Sequence, residues 1–203
     1  MMTRDGRQPI IVADAGPLIR LAAAGLLPTL KGLNRRIVLV DRVEDEVTGD
    51  RSKPFAEDIA MWLGSMGEAI FRVRTVYGEG IESLKAKIRT PEEDLLLKSS
   101  LRNSGELALR EFVERWLPEL PGDAIVVYED KRVASLFLDA DFPVTLMTTR
   151  SFVRTMQDWG INADAVAALE AIAARYDLKP ALIGEIDPET PRDLRALPEN
   201  MKP

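Results

Sequence analysis

The 203-residue sequence contains no cysteine and no histidine. Without cysteine it can form no disulfide, no thiolate zinc site and no cysteine nucleophile. Without histidine it lacks the commonest general base and the commonest transition-metal ligand, which excludes every Ser-His-Asp arrangement. Hydrolytic chemistry would therefore have to depend on carboxylates, whose oxygens suit hard cations such as Mg²⁺ or Mn²⁺.

Long apolar runs are also missing. The apolar stretch that starts at Ile10 is interrupted by Asp14, Pro17 and Arg20, which does not fit a signal peptide. No stretch reaches the roughly 18 apolar residues of a membrane span, so we expect a cytoplasmic protein. The net charge of −6 is typical of a soluble protein. It does not favour nucleic-acid binding, although a local basic rim would still allow it.

What the sequence does contain is an ordinary globular composition, with 46% apolar and 30% charged residues. The length is enough for one sizeable core and too short for two comfortable domains. We expect a single domain over residues 1–178, with residues 71–101 as a candidate helical insertion, and a C-terminal tail over residues 179–203. The tail is rich in proline and shows little apolar periodicity.

Short apolar runs alternate with helical patterns along the chain. This alternation predicts parallel βαβ units in an α/β fold, a three-layer α/β/α sandwich with a central, mostly parallel sheet. Thr90, Pro91 and Glu93 form a clear helix start, and Asp41 with Glu44 predicts a second capping box. The predicted strands are Ile10–Ala13, Ile37–Val40, Ala124–Tyr128 and Val144–Met147, with a short edge strand near Ile70–Val73.

Two aspartates follow predicted buried strands and precede helices. Asp14 ends the first strand, and Asp130 lies just beyond the strand AIVVY. Open α/β sheets bind ligands beyond the carboxyl ends of their strands, so both residues are candidates for a site. Either aspartate alone is explained about as well by helix capping. The repetition of the pattern at two parallel strands favours the site.

Two glutamates are weaker candidates. Glu106 lies three residues after Asn103, and a capping box alone would explain it. Glu46 lies in a short helix, where a solvated face is the default interpretation. We prefer it to Glu44, to which the capping box already gives a role.

Polar residues near the later strand ends are the weakest candidates. Thr148 and Thr149 end the last strand, where they would cap the next helix or hold a water or phosphate. Arg132 and Arg150 follow the strand ends closely and are candidate phosphate contacts, although a solvated surface explains either one singly.

Taken in order, these motifs resemble those of PIN domains. They are Asp14 in IVADAGPLIRL, Glu46 in VDRVEDEV, Glu106 in NSGELAL, Asp130 in VVYEDKRVA and the threonines of VTLMTTRSF. The resemblance implies a Mg²⁺- or Mn²⁺-dependent endoribonuclease, often the toxin of a toxin–antitoxin pair and often a homodimer. It implies that Asp14, Glu106 and Asp130 are metal ligands and that Glu46 is a supporting acid.

Two other interpretations remain open. A catalytically silent module of the same fold, binding nucleic acid or protein, is compatible with the net charge and the tail. A phosphoacceptor signalling domain would also gather aspartates at strand ends. It would need a lysine after a late strand, where this chain has Thr148, Thr149 and Arg150.

Overall fold

A computed structural model describes residues 10–101, 103–120, 123–137 and 144–176, with only the backbone for residues 99, 100 and 173–176. The predicted tail, residues 179–203, lies outside the described residues. Five strands form one sheet in which every neighbouring pair is parallel. Helices flank the sheet, so the predicted three-layer α/β/α architecture is confirmed. The strands are β1 (Ile10–Ala13), β2 (Ile37–Val40), β3 (Ile70–Val73), β4 (Ala124–Tyr128) and β5 (Val144–Thr148).

Helices connect the strands. The described chain has α1 (Ala15–Ala23), α2 (Asp41–Thr48), α3 (Ala56–Met66), α4 (Val76–Lys87), α5 (Pro91–Leu101), α6 (Ser104–Arg115), α7 (Lys131–Ser135), α8 (Thr149–Asp158) and α9 (Ala165–Tyr176). Short 3-10 turns lie at Leu27–Leu33, Gly67–Ala69 and Leu117–Glu119. None of the helices in the described ranges is long and apolar enough to cross a membrane.

The burial of the central strands explains why their sequences are continuous apolar runs. Every residue of β1, β2 and β4 is buried, since helices cover the sheet. Fully buried Phe112, Phe137 and Phe152 are among the largest core side chains outside the strands. The edge strand β3 is only half buried at Phe71 and exposed at Arg72, as expected for an edge.

The strand order β3-β2-β1-β4-β5 creates a switch point between β1 and β4. The chain moves outward from β1 to β3 and then returns to add β4 on the other side of β1. Ala13 is level with Val127, and the Asp14 amide donates to the Val127 carbonyl at 3.3 Å. In such sheets a crevice opens beyond the carboxyl ends of the two strands at the switch point. Asp14 and the residues after β4 lie there.

The two predicted capping boxes had different outcomes. The box at α5 is confirmed, because Thr90 N donates to Glu93 Oε2 at 3.1 Å and Glu93 N donates to Thr90 Oγ1 at 3.2 Å. The box at α2 is wrong. The Asp41 carboxylate accepts from the amide and hydroxyl of Thr75, both at 2.9 Å, and Glu44 pairs with Arg72 at 3.1 Å. The end of β3 supplies these partners, which local sequence could not reveal.

Residues 71–101 combine two kinds of structure. Their first residues belong to β3, which pairs with β2 throughout its length. The remainder forms the helical pair α4 and α5, in which α4 packs on α6 and α5 packs on α4. The part of this segment outside the sheet is therefore the α4–α5 pair.

Candidate acidic site at the ends of β1 and β4

Asp14 lies at the entrance to α1 but does not cap it. Its backbone is extended (φ −78°, ψ 169°), and its side chain makes no capping hydrogen bond. Burial raises the pKa of Asp14 to about 6, and the carboxylates of Glu46, Asp130 and Glu106 add to the rise, while the Ala15 amide opposes it. The carboxylate is thus held where its charge is unfavourable, and helix capping does not account for it.

The acids that act on Asp14 come from three other elements. Glu46 lies on α2, Glu106 lies in the first turn of α6, and Asp130 precedes α7. Helix α6 approaches α2 closely at Gly105, where an added Cβ would lie 3.1 Å from Glu46 Oε2. The fold therefore places the four acids selected from the sequence close enough to influence the ionisation of one of them.

Asp130 has a different local role from Asp14. Its carboxylate caps α7 by accepting from the Arg132 amide at 2.8 Å, and it also accepts from the Arg132 guanidinium at 2.7 and 3.0 Å. The hydrogen bonds from Arg132 lower the pKa of Asp130. The same guanidinium lies 3.8 Å from Glu106 Oε2, so Arg132 bridges two of the predicted metal ligands.

Glu129 is an acidic residue of this site that the sequence analysis missed. Its side chain is 10% exposed and faces Arg20, whose Nε lies 3.3 Å from Oε2. In the part of the chain that the structure describes, neither Glu129 oxygen has a hydrogen-bond partner. Burial raises the pKa of Glu129, the Thr149 hydroxyl and Arg20 oppose the rise, and Asp14 adds to it. The available signal was its position directly after β4, which matches that of Asp14 after β1.

Gly16 gives Glu129 the space that it occupies. A Cβ at Gly16 would lie 3.1 Å from Cγ and 3.2 Å from Cβ of Glu129, tighter than ordinary van der Waals contact. The absence of a side chain on the first turn of α1 thus lets the glutamate fold over the beginning of that helix.

The threonines and Arg150 take separate positions. Thr148 caps α8, as the simpler interpretation predicts, accepting from the Ser151 amide at 3.2 Å. Thr149 is fully buried beside Glu129, and its hydroxyl has no hydrogen-bond partner among the described residues. Arg150 pairs with Glu170 on α9 at 2.8 Å. Of these three, Thr149 is the residue that acts on Glu129.

The donor types at this site suit a hard divalent cation, because they are carboxylate and hydroxyl oxygens without sulfur or imidazole. Within the described ranges, no three acidic side chains stand as a ready-made metal-ligating group. Two of the predicted ligands are bound to Arg132 instead. Metal binding through Asp130 and Glu106 would therefore require Arg132 to release them.

Comparison of the chain with protein-family models, with curated proteins and with solved structures gave no match. A functional assignment therefore depends on the residues and the geometry described above.

Proposed function

We propose that this protein is a Mg²⁺- or Mn²⁺-dependent endoribonuclease that hydrolyses RNA phosphodiester bonds. The observation that carries the proposal is the environment of Asp14, an uncapped and largely buried carboxylate with three further acids acting on it. A largely buried carboxylate with further carboxylates close to it, at the switch point of a parallel sheet, is typical of a cation site. The order of the acidic motifs, which resembles that of PIN domains, supports the same function.

The residues proposed to hold the cation are Asp14, Glu106 and Asp130, with Glu46 as a supporting acid. Glu129 joins this set because it is largely buried and close enough to Asp14 for the charge of Asp14 to raise its pKa. When bound, Mg²⁺ or Mn²⁺ would supply an activated water and neutralise charge at the scissile phosphate. Asp14, whose carboxylate makes no capping bond, is free to orient a water or accept its proton.

Arg132 is the residue proposed to meet the RNA backbone. Its side chain is 62% exposed and lies at the rim of the acidic site, bound to Asp130 and Glu106. A guanidinium that gives up its carboxylate partners can donate to phosphate oxygens through the same N–H groups. Arg150 is less suited to this role because it pairs with Glu170 on α9 and not with an acid of the site.

Cleavage of a mixed panel of RNAs in the presence of Mn²⁺ tests the proposal. Asp14→Asn and Asp130→Asn should each abolish cutting, while Asp158→Asn, an exposed aspartate after the acidic site in sequence, should cut like the parent. Cutting that persists unchanged in both site variants would show that the activity comes from elsewhere.

The second candidate is a catalytically silent module that binds nucleic acid or protein. The ion pairs of Arg132 with Asp130 and Glu106 favour it, because they neutralise these acids without a metal ion. This candidate predicts no metal-dependent cleavage and a binding affinity that Asp14→Asn leaves unchanged.

We also propose that the nuclease acts in the cytoplasm as the toxin of a toxin–antitoxin pair, with a small antitoxin as its partner. Induced expression should then arrest growth, and Asp14→Asn should relieve the arrest. Co-expression of a small open reading frame directly upstream should also relieve it. Unimpaired growth on expression of soluble parent protein would contradict the toxin role.

A further inference from the structure

A cleft of about 570 Å³ lies at the opposite end of α1 from Asp14. One wall is a single face of α3, whose lining residues follow the spacing of three and four that aligns side chains along a helix. The other wall is the end of α1 and the 3-10 turn at Leu27–Leu33. Its volume is in the range of small-molecule sites. We call it the Trp62 cleft, and the lining residues that concern its chemistry are Leu27, Lys31, Asp58, Met61, Trp62 and Met66.

Apolar side chains make up much of the lining of the Trp62 cleft. Leu27, Trp62 and Met66 are buried residues of its walls, whereas Met61 is 62% exposed. Methionine side chains are unbranched and polarizable, so they adapt to apolar ligands of different shapes. This lining favours a ligand that has an apolar body.

Trp62 also supplies a polar group that the described chain leaves without a partner. The residue is only 7% exposed, and its Nε1 is buried with no hydrogen-bond partner among the described residues. A buried donor of this kind is costly when unpaired, and most such groups in native proteins are paired. An indole N–H can only donate a hydrogen bond. A molecule that enters the cleft and pairs with Trp62 must therefore carry an acceptor.

Lys31 and Asp58 give the cleft one exposed charge of each sign. Within the described ranges, neither side chain forms an ion pair. An ammonium group could pair with Asp58 but would leave Trp62 Nε1 without an acceptor, because an ammonium only donates. A carboxylate accepts from both an ammonium and an indole N–H, and the exposed Asp58 stays solvated beside it. The buried donor thus favours an anionic ligand over a cationic one.

We infer that the Trp62 cleft binds an amphipathic monocarboxylate. The apolar body of the ligand lies against Trp62 and Met66, and its carboxylate oxygens accept hydrogen bonds from Lys31 and from Trp62 Nε1. This inference does not depend on the acidic site or on its proposed activity, because roughly 12 Å of helix separates Asp14 from Ala22 at the cleft.

Calorimetric titration of the full chain with octanoate tests the inferred site. Octanoate should bind the parent saturably, with one molecule per chain. Octylamine, which has a chain of the same length and the opposite charge, should bind about tenfold more weakly. Octanoate binding that does not saturate, or octylamine binding that equals or exceeds it, would overturn the inference.

Two substitutions test the proposed contacts. Lys31→Ala should weaken octanoate binding by about tenfold, the loss of a charge-assisted contact, and should not weaken the binding of octylamine. Trp62→Phe keeps an aromatic ring but removes the N–H, and it should weaken octanoate binding by about fivefold.

Matched control variants carry the same substitutions outside the cleft. Lys53→Ala changes an exposed lysine, and Trp116→Phe changes a tryptophan that is 38% exposed; both should bind octanoate like the parent. Circular dichroism checks the fold of each variant, and Lys31→Ala keeps the test decisive if Trp62→Phe fails to fold, since Lys31 is exposed. Parent-like octanoate affinity in Lys31→Ala, or in folded Trp62→Phe, would overturn the assignment of the site.

Discussion

Asp14 is the residue whose charged form the fold makes unfavourable. Its carboxylate is largely buried with other acids nearby, and its pKa is raised from 3.8 to about 6. A natural core would place an uncharged side chain there at lower cost. Retention of a strained charge at the carboxyl end of a central strand is the pattern expected of a functional group.

The stability of the protein should therefore depend on pH through Asp14. Because the pKa of Asp14 is higher in the folded state than in the unfolded state, its contribution to the free energy of unfolding is complete below about pH 4. That contribution is lost as the pH rises through about 6. The rise in the pKa of Asp14 from 3.8 to about 6 corresponds to roughly 3 kcal/mol at most. In chelator, Asp14→Asn should raise the free energy of unfolding at pH 8 by about 1–3 kcal/mol, and the gain should shrink at pH 4.5. Urea titration at the two pH values measures the free energy of unfolding of each protein. A gain in stability that does not depend on pH would contradict the raised pKa of Asp14.

Removal of the divalent ion should affect the parent and this variant differently. Mg²⁺ or Mn²⁺ that binds only the folded state stabilises it by mass action. Saturating Mn²⁺ should raise the melting temperature of the parent by a few degrees and leave that of Asp14→Asn almost unchanged. Calorimetry with and without chelator measures the difference, with Asp158→Asn as the variant expected to respond like the parent. Equal shifts in all three proteins would exclude Asp14 as a ligand.

At the scale of elements, the contact between α2 and the start of α4 joins the helices that follow the neighbouring strands β2 and β3. The Asp41 carboxylate accepts two hydrogen bonds from Thr75, and the Thr75 hydroxyl caps α4 by accepting from the Gly78 amide at 2.9 Å. A Cβ at Gly78 would lie only 2.0 Å from Asp41 Oδ2. The carboxylate thus packs directly on the α4 backbone.

Gly78→Ala should consequently destabilise the protein, by about 2–3 kcal/mol, because it displaces a hydrogen-bonded carboxylate. Gly80→Ala in the same helix is the matched control, since nothing lies within 4 Å of its added Cβ. That control should be neutral or stabilising by up to about 1 kcal/mol, the helix-propensity difference. Chemical denaturation compares them, and equal effects would show that the Asp41 contact is unimportant.

Sequence patterns predicted those elements whose cause is local. The continuous apolar runs identified the buried strands, and Thr90 with Glu93 identified the start of α5, because burial on both faces and capping leave short-range signals. The partners of Asp41 and Glu44 were mispredicted because both belong to the end of β3. Glu129 directly follows β4, as Asp14 follows β1, but its contacts with Arg20, Gly16 and Thr149 are made only by the fold, and it was missed. The positions of Asp14 and Asp130 at neighbouring strand ends were predictable, whereas the bridge made by Arg132 was not.

At the scale of the whole molecule, charge is the main obstacle to RNA binding. The chain carries a net charge of −6, and its candidate site is acidic. Long-range electrostatics would repel a polyanion, so binding requires local neutralisation.

Binding of RNA should thus require divalent ions even when cleavage is blocked. Ca²⁺ often binds hard oxygen sites without supporting hydrolysis. In Ca²⁺, the parent and Asp158→Asn should each bind RNA more tightly than they do in chelator. Arg132→Ala should weaken this binding by about tenfold, the loss of one charge-assisted phosphate contact. Fluorescence anisotropy at fixed ionic strength measures the affinities. Equal affinity in chelator and in Ca²⁺ would argue for a purely basic contact surface elsewhere.

The pairing of β1 with β4 has a consequence for the order in which the chain can fold. Ile10 is level with Ala124, more than a hundred residues later, whereas β1, β2 and β3 are all available early. Until β4 arrives, one side of β1 presents unpaired amides and carbonyls of an apolar strand, which is the kind of edge that recruits other chains. The closure of this long loop should be a slow step in folding. A chain interrupted before residue 124 would keep that edge open, and we expect it to aggregate rather than to accumulate as an active fragment.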